Sequence, residues 1–444
     1  MYEEFEILLS EKKYHQLKEL LIHMEPADIA PAFEELSEKQ RAVLFRLLPK
    51  EVAAEVFVEL DSDLQEHLIS GFSDNELKEV LDELYVDDAV DIIEEMPANV
   101  VKRILRHTDP EMRSDINAML RYPQDSAGSI MTTEYVHLKK GMTVEDAFLH
   151  IRRNGTDKET IYTCYVTDKN RILEGLVSVK DLLLSDYSCL IEDIMETDII
   201  YVNTTDDQES TARMFEKYDF LAIPVVDNEK RLVGIVTVDD AIDVIQEETT
   251  EDIEKMAAIV PSDKPYLKTG IFETFRLRIP WLLVLMISSA FTEAILTSYE
   301  KAFVSFSILT AFIPMIMGTG GNSSSQASVT IIRSLSLGDI EFGDIFRVVL
   351  KETGVAIACG IVLAAANFLK LMLFNHVPAS IAFVVCMTLI CTVIFAKVVG
   401  CTLPMLAKKV GFDPAVMASP LITTIVDAVS LVIYAAIATR ILNI

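Results

Sequence analysis

The chain has 444 residues and a formal net charge of −29, from 39 Lys and Arg against 68 Asp and Glu, yet 51% of it is hydrophobic. A mean hydropathy of +0.32 is high for a soluble acidic protein, and the acid is heavy for a membrane-embedded one. Nucleic-acid binding, which needs a basic face, and a single globular domain are both disfavoured.

The two properties separate along the chain. Residues 279–444 hold eight acids and nine bases, which leaves 60 acids and 30 bases to residues 1–278. The six cysteines form no CxxC pair and the seven histidines are scattered. No disulfide framework and no zinc or copper site is implied. The abundant metal ligand is carboxylate oxygen, which suits Mg²⁺, Ca²⁺ or Mn²⁺. Residues 1–20 are charged and polar, unlike a signal peptide, so the N-terminus is expected in the cytoplasm.

Residues 1–124 are predicted as a helical-repeat domain. Over 17–108 apolar residues recur every 12 positions. One register runs Leu20, Ala32, Leu44, Val56, Leu68, Val80, Ile92, Ile104; the next runs Leu21, Phe33, Phe45, Phe57, Ile69, Leu81, Ile93, Leu105; a third runs Met24, Leu36, Leu48, Leu60, Phe72, Leu84, Met96. Spacing of i, i+1, i+4 is one face of a short helix, and Pro26, Ser37, Pro49, Asp61, Ser73, Pro97 and Pro110 punctuate the units. Helices this short need stacking, which predicts an α-solenoid.

Residues 125–238 read as a tandem duplication. Ile130-Met131-Thr132 aligns with Ile194-Met195-Glu196, and Gly175 to Asp181 aligns with Gly234 to Asp240. Each unit is predicted as strand, helix, two strands about a charged turn, then helix. The pattern resembles a pair of CBS domains. Such pairs often bind adenine nucleotides through a Ser/Thr-x-x-Asp at the last strand-to-helix turn, which Ser178, Lys180 and Asp181 match. Simple N-capping by Ser178 or Thr237 is the competing reading.

An acidic connecting helix is predicted within 239–268. Eight of residues 239–254 are acidic, and Asp240, Asp243, Glu247 and Glu251 share one face. Like charges so spaced destabilise an isolated helix. The face is either solvated or meets other acids through divalent cations, for which Asp207, Glu209, Asp219, Asp87, Asp88 and Asp91 are the opposing candidates.

Residues 269–444 are predicted to carry five membrane spans, near 279–299, 303–335, 345–374, 378–406 and 414–439. Basic residues flank span 1 (Lys268, Arg276, Arg278), the loop between spans 2 and 3 (Arg333, Arg347, Lys351) and that between 4 and 5 (Lys408, Lys409). The positive-inside rule then puts the N-terminus inside and the C-terminus outside. In span 2 the run Gly318-Thr-Gly320-Gly321-Asn322-Ser-Ser-Ser-Gln326 is expected to break the helix and expose carbonyls to a water-filled path, the alternative being close helix packing through small residues. Asp427, inside span 5, has no Lys or Arg in an obvious partner position at its depth, so its expected mate is a transported cation. Glu293, Glu352 and Asp413 are expected at span ends, in interfacial or supporting roles.

The succession of helical repeat, CBS pair, acidic helix and five spans, with Gly318-Thr-Gly-Gly-Asn322-x-x-x-Gln326 and Pro420-Leu-x-Thr423-x-x-Asp427, resembles the MgtE family of Mg²⁺ channels and transporters over essentially the whole chain. The resemblance implies a homodimer in the lipid bilayer with one pore on its two-fold axis. Asp427 of both subunits would hold hydrated Mg²⁺, and Gly318, Gly320, Gly321, Asn322, Pro420, Thr423, Thr424 and Ala428 would line the path. At high cytosolic Mg²⁺, ions would bridge Asp87 and Asp91, Asp207, Glu209 and Asp219, and Asp240, Asp243, Glu248, Glu251 and Asp252, closing the pore with the connecting helix. ATP would bind at Ser178, Lys180 and Asp181. Ser419 stands before Pro420, where some members are expected to have Asn. The rival readings are a carrier exchanging Mg²⁺ or Co²⁺ against another ion and a non-conducting membrane-anchored Mg²⁺ sensor; Mn²⁺ is a further possible cargo. No nucleophile–base pair or P-loop points to an enzyme.

Overall fold

The computed structural model describes residues 2–156, 158–262, 264, 266–299, 307–417 and 419–442. It divides into two units, Met1–Ile245 and Gln246–Ile444.

The 12-residue repeat folds as short stacked helices, running from α1 (Tyr2–Ser10) to α11 (Pro110–Met119). All residues of the three registers are buried except Leu20, Met24 and Leu105, which are half-buried. Phe33, Phe45 and Phe57 from successive units stack edge to face, with centroids 6.3 and 6.1 Å apart. Helix ends leave carbonyls unpaired, and side chains from neighbouring units close several of them. Gln65 donates to the Phe57 carbonyl at 3.0 Å and Arg103 to that of Phe72 at 2.6 Å.

The duplication is equally regular. Strands β1 (Tyr135–Leu138), β2 (Thr160–Thr167) and β3 (Leu173–Ser178) form one three-stranded sheet; β4 (Val202–Asn203), β5 (Ala222–Val226) and β6 (Leu232–Thr237) form the other. In each, the first pair is parallel and the second antiparallel. Helices α12 (Val144–Asn154) and α15 (Gln208–Tyr218) make the crossovers, and α13 (Val179–Leu184), α14 (Ile191–Ile194) and α16 (Val238–Met256) complete the set. The segment preceding each unit packs on the other one. Met131 lies over Gly234 and Met195 over Gly175, where a Cβ would stand 2.7 Å from either sulfur.

The second unit contains five long helices among the described residues: α17 (Ile271–Ser298), α18 (Ile313–Ser336), α19 (Ile345–Leu373), α20 (Ala379–Val410) and α21 (Ser419–Leu442). A 3₁₀ turn (Ser307–Phe312) precedes α18, and another (Pro414–Met417) precedes α21. The start predicted for span 2, residue 303, lies outside the described residues, as does the side chain of Ser419. Among the described residues, four stretches are long and apolar enough to cross a membrane: Ile271–Ser298, Phe342–Leu373, Ala379–Val410 and Pro414–Leu442. Helix α18 is long enough but carries the polar run.

That run does not break the helix, contrary to expectation. Helix α18 is continuous through Gly318–Gly321, because a backbone in hydrocarbon must bond internally and the glycines serve close packing instead. A Cβ on Gly320 would stand 2.8 Å from Thr392 Cγ2 of α20 and 3.0 Å from Val426 Cγ1 of α21; one on Gly321 would stand 2.9 Å from Thr423 Cγ2. Gly400 of α20 fits as tightly, 2.5 Å from the Ser324 carbonyl.

Candidate functional site

In the first unit, acids from three places meet. Asp87 and Asp88 open α9 (Val86–Glu95), Asp239 and Asp240 open α16, and Glu134 and Glu159 lie at the edge of the first sheet, where the Glu159 amide donates to the Glu134 carbonyl at 3.0 Å. Helix N-termini welcome one carboxylate each. Together the six repel. Asp87 is 8% exposed and its Oδ1 has no hydrogen-bond partner. Burial, with Asp240 and Asp88 next, pushes its carboxyl well above the ordinary range. Burial and then Asp240 and Asp239 push Asp88 up to about 7, and burial with the same two residues pushes Glu159 up to about 8. Burial raises Asp240 to about 6 although the Thr237 hydroxyl donates to it at 2.5 Å. Asp243, one turn on, is raised by burial and by Asp239.

Not every predicted acid joins this cluster. Asp207 caps α15, accepting from the Ser210 amide at 2.8 Å, and Glu209 pairs with Arg213 one turn on. Asp219 ends the same helix in a left-handed conformation, with φ of 54°. Asp91 is exposed on α9. Glu248, Glu251 and Asp252 fall beyond Ile245, in the second unit. There Glu251 and Asp413 both bind Lys255, each at 2.7 Å, and Met256 packs on Ile332 and Ala415. Burial alone would lower Lys255; the hydrogen bonds its ammonium donates to Asp413 and Glu251 outweigh it and raise it to about 12. Among the described residues, no three His, Cys, Asp or Glu side chains converge closely enough to hold a metal ion. Glu134 and Glu159 were not foreseen, since neither belongs to a run of acids.

At the nucleotide candidate, Ser178 caps α13. It accepts from the Asp181 amide at 3.1 Å and donates to the Asp181 carboxylate at 2.5 Å, while Lys180 is exposed. The N-capping reading is therefore realised here.

Among the membrane helices, Gly318, Asn322 and Gln326 are exposed at i, i+4, i+8 of α18 and so share one face. On α21, Pro420, Thr423, Thr424, Asp427 and Ala428 are half-buried; Thr424 donates to its own helix at Pro420, 3.0 Å away. One carboxylate oxygen of Asp427, Oδ1, is turned inward without a partner. Among the described residues one basic side chain is buried within a membrane-length helix, and its partner is Glu352. Lys397 is 5% exposed within α20, and its ammonium sits 3.5 Å from Glu352 of α19. Glu352 is thus an intramembrane ion-pair partner, not an interfacial residue, because a buried ammonium needs a countercharge. Glu293 is exposed on α17, and Asp413 caps the 3₁₀ turn, accepting from Ala415 at 2.8 Å.

Comparison with known proteins matches residues 24–125 to the MgtE intracellular N domain, 127–186 and 191–247 to CBS domains, and 313–437 to a divalent cation transporter family. A magnesium transporter MgtE of Thermus thermophilus is 38% identical over 98% of this chain and 97% of its own. The chain belongs to the MgtE family. A Bacillus subtilis magnesium transporter MgtE is 32% identical over 98% of this chain and 96% of its own. Two solved cytosolic portions are also similar. One, the cytosolic domain of the Mg²⁺ channel MgtE in complex with ATP, is 39% identical over 55% of this chain and all of its own, with a TM-score of 0.53. The other, the soluble part of a magnesium transporter, is 32% identical over 56% of this chain and 97% of its own, with a TM-score of 0.52. With its family and its apolar helices, the chain is a multi-pass membrane protein.

Proposed function

We propose that the chain is a Mg²⁺ channel that admits Mg²⁺ to the cytoplasm and is closed by cytosolic Mg²⁺. Transport of Mg²⁺ agrees with the names of its full-length relatives. The observation that carries the permeation reading is Asp427. It is an acid within a membrane-length helix, and the one deep cation found, Lys397, is engaged by Glu352. Such a carboxylate costs at least about 2.5–3.5 kcal/mol to insert and is functional by default. Mg²⁺ sheds water reluctantly and is held by one or two carboxylates plus waters, so one Asp427 from each of two subunits suits a hydrated ion. Residues 318, 320–322, 420, 423, 424 and 428 border that path in a homodimer with its N-terminus inside and its C-terminus outside.

The gate reading assigns residues 1–124 and 125–238 to sensing, 239–268 to the connecting element and 269–444 to the pore. The cluster around Asp87, Asp88, Glu159 and Asp240 fits divalent cations, because a buried carboxylate with no partner and several raised neighbours is what a bound cation relieves. Asp91, Asp207, Glu209, Asp219, Asp243, Glu248, Glu251 and Asp252 extend the acidic surface. ATP at Ser178, Lys180 and Asp181 is supported by the ATP-bound relative; its phosphates require the capping contact to open.

The test is D427A in a Mg²⁺-dependent host, with patch-clamp current recorded as cytosolic Mg²⁺ is stepped. Loss of uptake, and a wild-type current that falls as internal Mg²⁺ rises, are expected. Normal uptake by D427A would sink the pore reading, and a current that rose with internal Mg²⁺ would sink the gate.

A further inference from the structure

Helix α16 crosses the boundary between the two units, and its ends differ in charge. Its first turns carry Asp239 and Asp240, which are coupled to Asp87, Asp88 and Glu159 and repel them. Its last turns lie within the second unit and are tied to the membrane helices there. Met256 packs on Ile332 of α18 and on Ala415 of the 3₁₀ turn before α21. Past the helix end, the Val260 amide donates to the Leu277 carbonyl of α17 at 3.0 Å. Between these contacts stands Lys255. Its ammonium is 2.7 Å from an oxygen of Glu251, one turn back, and 2.7 Å from one of Asp413. Asp413 uses both of its oxygens. Oδ1 accepts from the Ala415 amide at 2.8 Å and caps the turn that leads into α21, the helix of Asp427; Oδ2 accepts from Lys255. The Lys255 and Asp413 side chains are only 22% and 34% exposed, so water screens this pair less than one on an open surface.

We infer that Lys255 is a built-in cation at the joint between the connecting helix and the pore helices, standing where a divalent ion would otherwise be needed between Glu251 and Asp413. The inference rests on the gate reading above. Two carboxylates within reach of one ammonium are also within reach of one hydrated Mg²⁺, which takes one or two carboxylates plus waters. The ammonium has three donors and can serve both acids at once. A free ion leaves such a place as its concentration falls; Lys255 is tethered to the same helix as Glu251 and does not. This joint therefore holds without Mg²⁺, and the Mg²⁺ requirement of closure falls on the opposite end of α16, where acid meets acid. Lys255 lowers the cytosolic Mg²⁺ at which the gate closes, because one of its contacts is already made.

The experiment follows hydrogen exchange of residues 251–256 in the full-length protein at pH 8, with Mg²⁺ removed and then restored, in wild type, K255M and D413N. Wild type should keep these residues protected without Mg²⁺ while the first turns of α16 lose protection. K255M should exchange about tenfold faster there without Mg²⁺ and regain protection when Mg²⁺ bridges the two vacated carboxylates. D413N, which keeps an acceptor for the Ala415 amide, should lose protection in both conditions. In patches, K255M should need about three- to tenfold more cytosolic Mg²⁺ than wild type for half-closure. Loss of protection at 251–256 in wild type on removing Mg²⁺ would overturn the inference, as would a K255M that stays protected without it. A K255M that stays unprotected with Mg²⁺ would also overturn it, since the lysine would then act through its stem and not its charge. Should K255M fail to assemble, D413N decides: wild-type protection in Mg²⁺-free buffer would overturn the inference. A wild-type current that does not fall as cytosolic Mg²⁺ rises would sink the gate reading, and the exchange pattern then judges the joint on its own.

Discussion

Replacing Asp240 by Asn removes one charge from the middle of the acidic cluster without changing its shape. Asp240 is named among the repelling groups at Asp87, Asp88 and Glu159. Its own carboxyl is moved from the ordinary 3.8 to about 6, which costs its charged form on the order of 3 kcal/mol, since a tenfold change in ionisation is about 1.4 kcal/mol. The sign follows from the direction. An acid raised in the assembled state carries no penalty when pH lies below its ordinary value, and penalises assembly increasingly as pH climbs from there through the raised value. For Asp240, Asp88 and Glu159, raised to about 6, 7 and 8, assembly weakens as pH rises from 5 to 8.5 unless cations are supplied. D240N should therefore protect the cluster at pH 8 in Mg²⁺-free buffer, by up to roughly a hundredfold in the assembly equilibrium. It should also flatten the pH dependence and shrink the further protection that Mg²⁺ gives. Hydrogen exchange of α9 and the first turns of α16 in the full-length protein, with and without Mg²⁺ at pH 6 and 8, reads all three. Protection that fell in D240N without Mg²⁺, or an unchanged Mg²⁺ increment, would refute the repulsion argument.

Three other outcomes are expected. G320A should lower the melting temperature, because its Cβ would press on Thr392, Val426 and Ser430, an overpacking that costs about 1–3 kcal/mol; G318A, with nothing within 4 Å, should melt like wild type. K397M should destabilise the membrane helices by about 3–5 kcal/mol by stranding Glu352, and K397M/E352Q should recover most of that loss; equal melting of single and double variants would contradict a paired site. K255M should leave Glu251 and Asp413 without their shared cation, so added Mg²⁺ should raise the melting temperature of K255M more than that of wild type, and equal shifts would show that the three residues are not coupled.

The sequence exposes what is periodic or repeated and hides what is paired at a distance. The solenoid was legible because Phe33, Phe45, Phe57 and their registers must face one way for short helices to stack. The CBS pair was legible because its glycines recur at matching places, each beneath a methionine from the other unit's lead-in. Lys397 was missed because it is one charge in an apolar run and its partner lies 45 residues away. Asp207 and Glu209 look like Asp87 and Asp240 in a sequence, yet a helix cap and an ion pair with Arg213 occupy them. The glycine run allowed two readings, a broken helix beside water and close packing, and at Gly320 and Gly321 the structure realises the second. Inside a bilayer the helix has no solvent to unravel into, and the missing side chains become contact surface.

In the gate proposed above, the same cluster limits the mechanism. Offsetting the order of 3 kcal/mol that burial, and after it the neighbouring acids, cost charged Asp240 with one ion requires free Mg²⁺ at more than 100 times that ion's dissociation constant. A site that tight needs several carboxylates in ligating geometry, and among the described residues no three converge so. Two or three weaker ions serve instead, since each at about ten times its dissociation constant contributes roughly 1.4 kcal/mol. Weak sites keep most of the ion's own water, as Mg²⁺ prefers. They also respond together, because each ion that binds lowers the repulsion facing the next. Spreading 60 acids over residues 1–278, with only a few deeply buried, is the arrangement that such a shared and graded response requires.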